Sequence, residues 1–129
     1  MQIGLITDNQ DTLGFNILDG PWVQRHNTDA VVEYVRKVVG DNKTYLTFDI
    51  DCLDPAYAPG TGTPVCAGLT TGQAREILKG LAGINIVGAD LVEVAPPYDH
   101  AEITALAGAT LALDFLCLFA KAPWRKSAR

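Results

Sequence analysis

The sequence predicts an α/β fold in which a parallel sheet is flanked by helices. Runs of large and β-branched apolar residues, typical of strands, alternate with segments whose apolar residues recur at helical spacing. Turns rich in glycine, proline, asparagine and aspartate separate these segments. Strands that alternate with helices are typical of parallel sheets, and 129 residues with 48% hydrophobic side chains suffice for one core. We therefore expect one domain at residues 1–122, followed by a basic tail at 123–129.

The first half of the chain contains one predicted helix between predicted strands. The predicted elements are a strand at 2–7, a short strand at 15–18, a helix at 29–39 and a strand at 45–50. The first strand begins almost at the first residue, as we expect of a piece of a longer protein. Residues 8–20 otherwise predict a loop, because asparagine, aspartate and glycine recur in them. Thr28 is the expected N-cap of the helix, and Gly40 is the expected stop.

The second half of the chain repeats the alternation after a long loop. That loop follows Asp51 and contains too many prolines and glycines for a helix or a strand. The predicted elements after it are a helix of about ten residues that ends near Gly80, a strand at 84–94 and a helix at 101–120. Thr70 with Gln73, and Asp99 with Glu102, have the spacing of capping boxes at the two helix starts.

Composition and charge exclude several classes of partner. The formal net charge is −5, so nucleic acid and anionic membranes are poor partners, whereas a metal ion or a cationic substrate suits the sign. The apolar stretch 103–113 ends at Asp114, and we expect a buried helix there rather than a membrane span. Three cysteines without a paired motif indicate a reducing compartment, and we expect the cytoplasm.

Two carboxylates at the end of the strand at 45–50 are the main candidates for a functional site. Side chains at positions i and i+2 of a strand share a face, so we expect Asp49 and Asp51 to lie side by side. Ligands of open α/β sheets gather at the carboxyl ends of the strands. Two neighbouring carboxylates need a positive counter-charge, and hard oxygen donors favour Mg²⁺, Mn²⁺ or Ca²⁺. Solvated or loop-capping carboxylates are the alternative.

Other polar residues have less specific signals. Glu93 ends the next predicted strand, so it converges on the same cleft if the two strands are neighbours; otherwise it pairs with a surface lysine. Asp54 is expected to cap a turn, Asp90 is expected to be structural, and both histidines, His26 and His100, are expected to face solvent. Haloacid-dehalogenase-type phosphatases and sugar-nucleotide transferases also use Asp-x-Asp, but the surrounding residues here fit both classes less well.

The segment TFDIDCLDPAYAPGTGTPVCAG, at residues 47–68, resembles the last signature of the ureohydrolase family, which contains arginases and agmatinases. The resemblance continues through GLTTGQAREILKGL, NIVGADLVEVAPPYD and ITALAGATLAL, and it is strongest to bacterial agmatinases. It implies the C-terminal half of an arginase-like three-layer fold, which assembles as trimers or hexamers. It also implies hydrolysis of a guanidino substrate, agmatine, to urea and putrescine by hydroxide that bridges two Mn²⁺ ions.

The resemblance assigns roles to four residues. Asp49 and Asp51 match the metal-binding aspartates of the signature, and Glu93 matches the carboxylate that receives the substrate guanidinium. Thr63 is expected to line the same pocket. The upstream ligand histidine and the Asp-Ala-His-x-Asp motif of the family do not occur in these 129 residues. We therefore expect an incomplete set of manganese ligands and no activity from this chain alone.

Two alternatives remain at this point. The chain is a silent remnant that serves as a binding or oligomerisation module, or it belongs to a ureohydrolase for another guanidino compound. In either event, part of an α/β sheet exposes apolar strand edges and faces. We therefore expect the isolated chain to be marginally stable or to self-associate in dilute solution, and a monomer with a sharp melt at high temperature would contradict this expectation.

Overall fold

The computed structural model describes residues 1–7 and 11–125, in which strands and helices alternate. The strands are β1 (Gln2–Leu5), β2 (Ile17–Asp19), β3 (Thr44–Asp49) and β4 (Ile86–Val92). The helices are α1 (Gly20–Arg25), α2 (Thr28–Val39), α3 (Thr71–Gly80) and α4 (Ile103–Lys121). Short 3-10 turns lie at Ile50–Cys52, Pro96–Tyr98 and Pro123–Arg125. This alternation confirms the predicted α/β class.

The strands form two parallel pairs rather than one continuous sheet. β1 pairs with β2, and β3 pairs with β4. In the second pair, Leu46 lies opposite Ala89 and Asp49 lies opposite Val92. Parallel pairing of β3 with β4 brings the carboxyl ends of both strands to one edge, which is where the sequence places Asp49 and Glu93. The separation into two pairs was not predicted.

The core lies where the β3–β4 pair meets the helices. Phe48 of β3 packs on Phe115 of α4, with ring centroids 6.3 Å apart. The buried residues of α2 and α3 belong to the same cluster, namely Val31, Val35, Ala74, Ile77 and Leu78. Tyr45, which points to the opposite face of β3, is 61% exposed. Among the described residues, helices therefore cover the Phe48 face of this strand pair, whereas Tyr45 on the other face is exposed.

Helices α2 and α3 pack closely because Gly80 lacks a side chain. A Cβ atom at Gly80 would lie 2.5 Å from Cγ2 of Val32. The Arg36 guanidinium donates hydrogen bonds to the carbonyl oxygens of Gly80 and Ala82, which are left unpaired at the end of α3. At the other end of α3, the capping box of Thr70 and Gln73 is formed as predicted.

Two predicted helix starts were wrong in detail. The N-cap of α2 is Asn27, whose side chain accepts the Ala30 N–H at 2.9 Å, and Thr28 is the first helical residue. Before α4, Asp99 accepts the N–H groups of Thr104 and Ala105, beyond the spacing of a capping box. The intervening Ala101 and Glu102 have positive φ angles, so α4 begins at Ile103. Asp99 therefore caps α4 from outside the expected motif.

Helix α1 was missed because its residues read as a turn. The Asp19 carboxylate accepts the Trp22 N–H at 2.6 Å, which makes Asp19 the N-cap, and Pro21 lies in the first turn where no amide donor is needed. The His26 ring stacks on Trp22 with centroids 3.8 Å apart, and its Nδ1–H donates to the Trp22 carbonyl oxygen. The exposed His26 is thus fixed on α1.

Helix α4 forms over nearly the range that the sequence predicts for it. It has 19 residues, and an 18-residue window within it has a mean hydropathy of 2.0, so by length and composition alone it could cross a bilayer. One face of α4 packs in the core, because Leu111, Phe115 and Leu118 are buried, whereas leucines on its other face are exposed. Asp114 is 7% exposed, and both of its carboxylate oxygens accept hydrogen bonds from the Arg75 guanidinium of α3.

The predicted basic tail begins with an ordered turn. In the 3-10 turn Pro123–Arg125, the Trp124 indole N–H donates to the Ile86 carbonyl oxygen at 2.8 Å. Residues 126–129 of the tail and residues 8–10 of the predicted first loop lie outside the described residues. The boundary at residue 122 stays a prediction.

Candidate functional site

Strand β3 delivers Asp49 to the edge of the sheet, and a tight turn places Asp51 beside it. The strand ends at Asp49, and Asp51 lies in the following 3-10 turn Ile50–Cys52. The expected alternation along a strand is therefore the wrong reason for their proximity. Instead, Oδ1 of Asp49 accepts the Asp51 backbone N–H at 3.1 Å, and Ile50 is completely buried beneath the turn. This local bond keeps both carboxylates on the same side.

Thr63 contacts Asp51 directly. Its Oγ1–H donates to Oδ2 of Asp51 at 3.0 Å, although twelve residues separate the two in the sequence. A carboxylate held by a hydroxyl loses rotational freedom, and one of its oxygens is aimed away from the hydroxyl. Thr63 was expected to line the pocket, and the structure places it where it orients Asp51.

The loop that carries Thr63 is closed by short backbone contacts. The Leu69 N–H donates to the Cys52 carbonyl oxygen, and the Asp54 N–H donates to the Leu69 carbonyl oxygen. The Asp54 carboxylate accepts the N–H groups of Ala56 and Ala67, and these bonds hold the pKa of Asp54 below its usual value. Asp54 therefore caps the loop, as predicted.

Gly68 is the tightest point of this loop closure. A Cβ atom there would lie 2.5 Å from the Asp54 backbone nitrogen and 2.7 Å from the Cys52 carbonyl oxygen. We expect Gly68→Ala to reduce the free energy of unfolding by ~1–3 kcal/mol, because backbone atoms must move apart. Thermal melts check this expectation. Gly62→Ala is the matched control in the same loop, since no atom lies within 4 Å of its Cβ, and an equal loss in both variants would contradict the prediction.

Glu93 follows β4 at the same edge of the sheet. Its φ angle is +66°, a left-handed conformation that is uncommon for a residue with a side chain and costs ~1–3 kcal/mol. The chain then turns towards the loop, and the Ala95 N–H donates to the Gly60 carbonyl oxygen at 2.8 Å. Glu93 is exposed, yet its charge lies close enough to Asp49 to raise the pKa of that carboxyl. The structure thus brings Glu93 to the side of the sheet that carries Asp49.

The carboxylates form a site of uncompensated negative charge. Partial burial, together with the charges of Asp51 and Glu93, raises the pKa of Asp49 to about 6. Among the described residues, Arg75 and Asp114 form the one ion pair with an N–O distance below 4.0 Å. No lysine or arginine of this part of the chain therefore neutralises the carboxylates of Asp49, Asp51 and Glu93. A bound cation is the natural counter-charge for such a cluster.

We expect Asp49→Asn to stabilise the isolated chain at pH 7.5 in the presence of a chelator. The pKa of Asp49 is about 6 in the folded state against 3.8 for the free side chain, so the folded state binds more protons between these pH values. Its stability therefore falls as the pH rises through this window, and a neutral amide avoids the loss. We expect the free energy of unfolding to rise by about 1 kcal/mol. This is less than the full pKa difference implies, because solvent screens a partly exposed carboxylate.

Thermal melts across the pH range test this expectation. The melting temperatures of Asp49→Asn and the unsubstituted chain should converge near pH 4 and separate above pH 6. Parallel pH profiles would mean that the pKa of Asp49 is not raised. Asp41→Asn is the control, because it makes the same chemical change in the exposed turn after α2.

The described residues supply only part of a metal site. Asp49 and Asp51 offer hard oxygen donors of the kind that Mn²⁺ and Mg²⁺ prefer. Within residues 1–7 and 11–125, no group of three or more His, Cys, Asp and Glu side chains is arranged to hold an ion. The donor chemistry of Asp49 and Asp51 therefore suits a metal, but a closed coordination shell needs donors beyond this pair.

Two further residues near this edge were missed by sequence reasoning. Thr61 is 3% exposed, and its hydroxyl oxygen has no hydrogen-bond partner among the described residues. Its position between Gly60 and Gly62 carried no signal for this burial. Burial and the negative charges of Asp49 and Asp51 raise the pKa of the Cys52 thiol to about 12, so Cys52 is neutral and not a nucleophile.

Comparisons with known proteins agree on one family. The sequence model of the Arginase family matches residues 2–118. The chain is 55% identical over 118 residues to an agmatinase of Chromobacterium violaceum, a match that covers 92% of this chain and 37% of the relative. A crystal structure of a hypothetical agmatinase from Burkholderia thailandensis superposes with a TM-score of 0.91 at 55% identity, over 98% of this chain and 39% of that one.

A more distant relative preserves the same fold. The proclavaminate amidino hydrolase of Streptomyces clavuligerus superposes with a TM-score of 0.87 at 31% identity, over 93% of this chain and 42% of that one. The chain thus spans between a third and a half of the length of the relatives that it matches. Because the family match extends over most of the sequence, the chain belongs to the arginase family.

Proposed function

We propose that this chain forms the carboxylate half of a manganese-dependent agmatinase site, in a protein that hydrolyses agmatine to putrescine and urea. The observation that carries the proposal is the cluster of Asp49, Asp51 and Glu93 at one sheet edge, with no neutralising lysine or arginine among the described residues. Identity of 55% to agmatinases over nearly the whole chain supports the choice of substrate.

Asp49 and Asp51 are the proposed metal ligands. Oδ1 of Asp49 accepts the Asp51 N–H, which leaves its second oxygen for a cation, and Thr63 occupies one oxygen of Asp51 and leaves the other. The pair is thus oriented before any ion binds. Manganese, when bound, supplies Lewis acidity and a hydroxide at neutral pH.

Glu93 is the proposed acceptor for the guanidinium group. A carboxylate can accept two parallel N–H bonds from a planar guanidinium, which fixes both position and plane. Its left-handed backbone turns the chain at the end of β4, and its charge raises the pKa of Asp49 nearby. A substrate cation there would sit next to the carboxylates that hold the metal.

The remaining proposals concern the setting of the enzyme. Two manganese ions need more ligands than this chain's described residues provide, so we propose that the remaining ligands lie outside it. We also propose a homo-oligomeric, cytoplasmic protein whose partner is a small cationic guanidino compound. The free state of Cys52, Cys66 and Cys117 supports a reducing compartment.

A chimera tests the proposed reaction. In the chimera, this chain replaces the aligned 118-residue segment of the Chromobacterium violaceum agmatinase. With Mn²⁺ and agmatine, we expect the chimera to release urea and the isolated 129-residue chain to release none. Each protein is purified from a host that lacks its own ureohydrolase.

The outcomes separate the alternatives. A folded chimera that releases no urea from agmatine or arginine would contradict the proposal and favour a silent binding module. Urea from another guanidino compound, but not from agmatine, would keep the reaction and change the substrate. Sustained urea formation by the isolated chain would show that our account of its incomplete ligand set is wrong.

A further inference from the structure

The outer face of α4 carries a line of exposed apolar residues. Leu106, Leu113 and Leu116 are 70%, 58% and 64% exposed. Ala109 and Ala120 are also exposed and lie on the same line. Single exposed leucines are common, but leucines that follow one helix face form a contiguous patch, and such patches mark contact surfaces. We call these five residues the outer stripe of α4.

The outer stripe points away from the rest of the fold. Leu113 lies two positions from Leu111 and two from Phe115, which is about 200° around the helix. Both of these neighbours are buried, and Phe115 packs on Phe48 of the sheet. The stripe is therefore on the side of α4 opposite the sheet. Its high exposure means that no other described element covers it.

The spacing of the outer stripe is that of a helix–helix contact. Its members follow one another at steps of three, four, three and four residues. Apolar residues at this spacing form the contact line of paired α-helices, which cross at about 20°. No charged residue belongs to the stripe, since Asp114 is buried against Arg75 and Lys121 lies at the end of the helix. A second helix with a matching apolar line is the partner that fits.

The outer stripe matches a second copy of itself when the two helices run antiparallel. When the two-fold axis passes near residue 111, Leu113 lies opposite Ala109 of the partner subunit. Leu106 then lies opposite Leu116 of the partner subunit. Close to the axis, each bulky side chain thus meets a small one, so the helices can approach closely. A contact around a two-fold axis must be self-complementary in this way.

Charges at the two ends of α4 favour the same register. Glu102 and Lys121 are exposed at opposite ends of the helix. The antiparallel register places Lys121 within one helical turn of Glu102 of the partner subunit. A parallel pair would instead place like charges side by side. Flanking charges of this kind set the orientation of paired helices, although exposed ion pairs add little to affinity.

We propose that the outer stripe of α4 joins two copies of this chain in an antiparallel helix pair around a two-fold axis. The pair buries Leu106, Leu113 and Leu116 of both copies. This contact specifies a surface for the homo-oligomer and needs neither metal nor substrate, so it does not depend on the proposed reaction. Assembly and urea release are measured separately, and the failure of one proposal can be told from the failure of the other.

Cysteine cross-linking in the chimera tests the register. The chimera is used because the isolated chain is expected to associate through other apolar surfaces. Cys66 and Cys117 are replaced by serine to remove exposed thiols. Ala109→Cys and Leu113→Cys are then carried by two differently tagged subunits produced in one cell. A disulfide needs Cα atoms within about 7 Å, so we expect the mixed pair to cross-link and neither variant to cross-link with itself.

The cross-linking outcomes are distinct. Disulfide-linked pairs formed by each variant with itself would indicate parallel helices and would overturn the antiparallel contact. The absence of a disulfide in every combination would overturn it as well. The chimera without introduced cysteines is the control, and we expect no disulfide-linked pair from it.

Leu113→Asp tests the same contact without cysteines. The new carboxylate would be buried against apolar residues of the partner subunit, which is costly for an unpaired charge. We expect the mass of the oligomer to fall to half and its dissociation constant to rise about a hundredfold or more, as measured by sedimentation velocity. Leu13→Asp is the matched control, because Leu13 is 77% exposed but lies in the loop before β2. It should leave the mass unchanged.

Other occupants of the outer stripe would give different results. If the N-terminal part of the same polypeptide covers it, Leu113→Asp will lower the melting temperature of the chimera without changing its mass. If a membrane covers it, the chimera will float with phosphatidylcholine vesicles, and Leu113→Asp will abolish flotation. Either result would overturn the proposal, as would an equal loss of mass in Leu113→Asp and Leu13→Asp.

Discussion

Asp49→Ala is expected to reduce the manganese affinity of the chimera by at least about a hundredfold and to abolish urea release. Removal of a residue that only supports a metal ligand lowers the metal affinity ~10–100-fold. The loss of a direct ligand should therefore lower it by more. The substitution also removes the acceptor for the Asp51 N–H, so the second carboxylate loses its orientation. Metal content after dialysis against Mn²⁺ measures the effect.

Two comparisons separate metal loss from unfolding. Asp41→Ala removes a carboxylate from an exposed turn and should leave both metal content and urea release unchanged. Asp49→Asn should also lose manganese, yet we expect it to be more stable than the unsubstituted chain when chelator is present. A folded Asp49→Ala chimera with normal manganese content would show that Asp49 is not a ligand.

Glu93→Gln is expected to lower kcat/KM for agmatine by about 30-fold to a few thousandfold. This range corresponds to the ~2–5 kcal/mol that is lost when one partner of a hydrogen-bonded charge pair is neutralised. The amide keeps the size of the side chain but presents one acceptor oxygen to a group that offers only N–H donors. Steady-state kinetics of the chimera measure the effect, and manganese content should not change.

Glu102→Gln is the matched control for this substitution. Glu102 is also exposed and also has a positive φ angle, +59° against +66° for Glu93, but it lies at the start of α4. The same substitution there should leave kcat/KM unchanged. If both variants lose activity equally, the loss reflects the backbone conformation and not the charge of Glu93. Loss of manganese from Glu93→Gln would instead assign Glu93 to the metal.

Local sequence signals predicted those parts of the fold that depend on neighbouring residues. The capping box of Thr70 with Gln73 was predicted and is formed, because both partners lie within one helical turn. The start of α4 was predicted wrongly, because Asp99 caps amides five and six residues ahead across two residues of left-handed backbone. The spacing rules for helix starts do not include a capping residue that is separated from the helix by two residues of left-handed backbone.

In the candidate site, too, the features that depend on neighbouring residues were predicted and those that depend on distant residues were not. Asp49 and Asp51 were identified from their position after an apolar strand, although a 3-10 turn rather than strand alternation brings them together. The hydrogen bond from Thr63 to Asp51 depends on how the loop 53–68 folds back, and twelve intervening residues conceal it. The Thr61 hydroxyl, which has no hydrogen-bond partner in the part of the chain that the structure describes, is buried, and sequence does not report burial.

The sequence by itself determined the α/β class, the four strands, three of the four helices and the residues that carry the candidate chemistry. These features follow from periodicity, capping and strand ends, which are interactions between residues close in the chain. Only the tertiary structure decided that the strands form two pairs, that Asp49 has a pKa of about 6 and that Thr63 contacts Asp51. Those properties depend on the distance and burial of groups far apart in sequence.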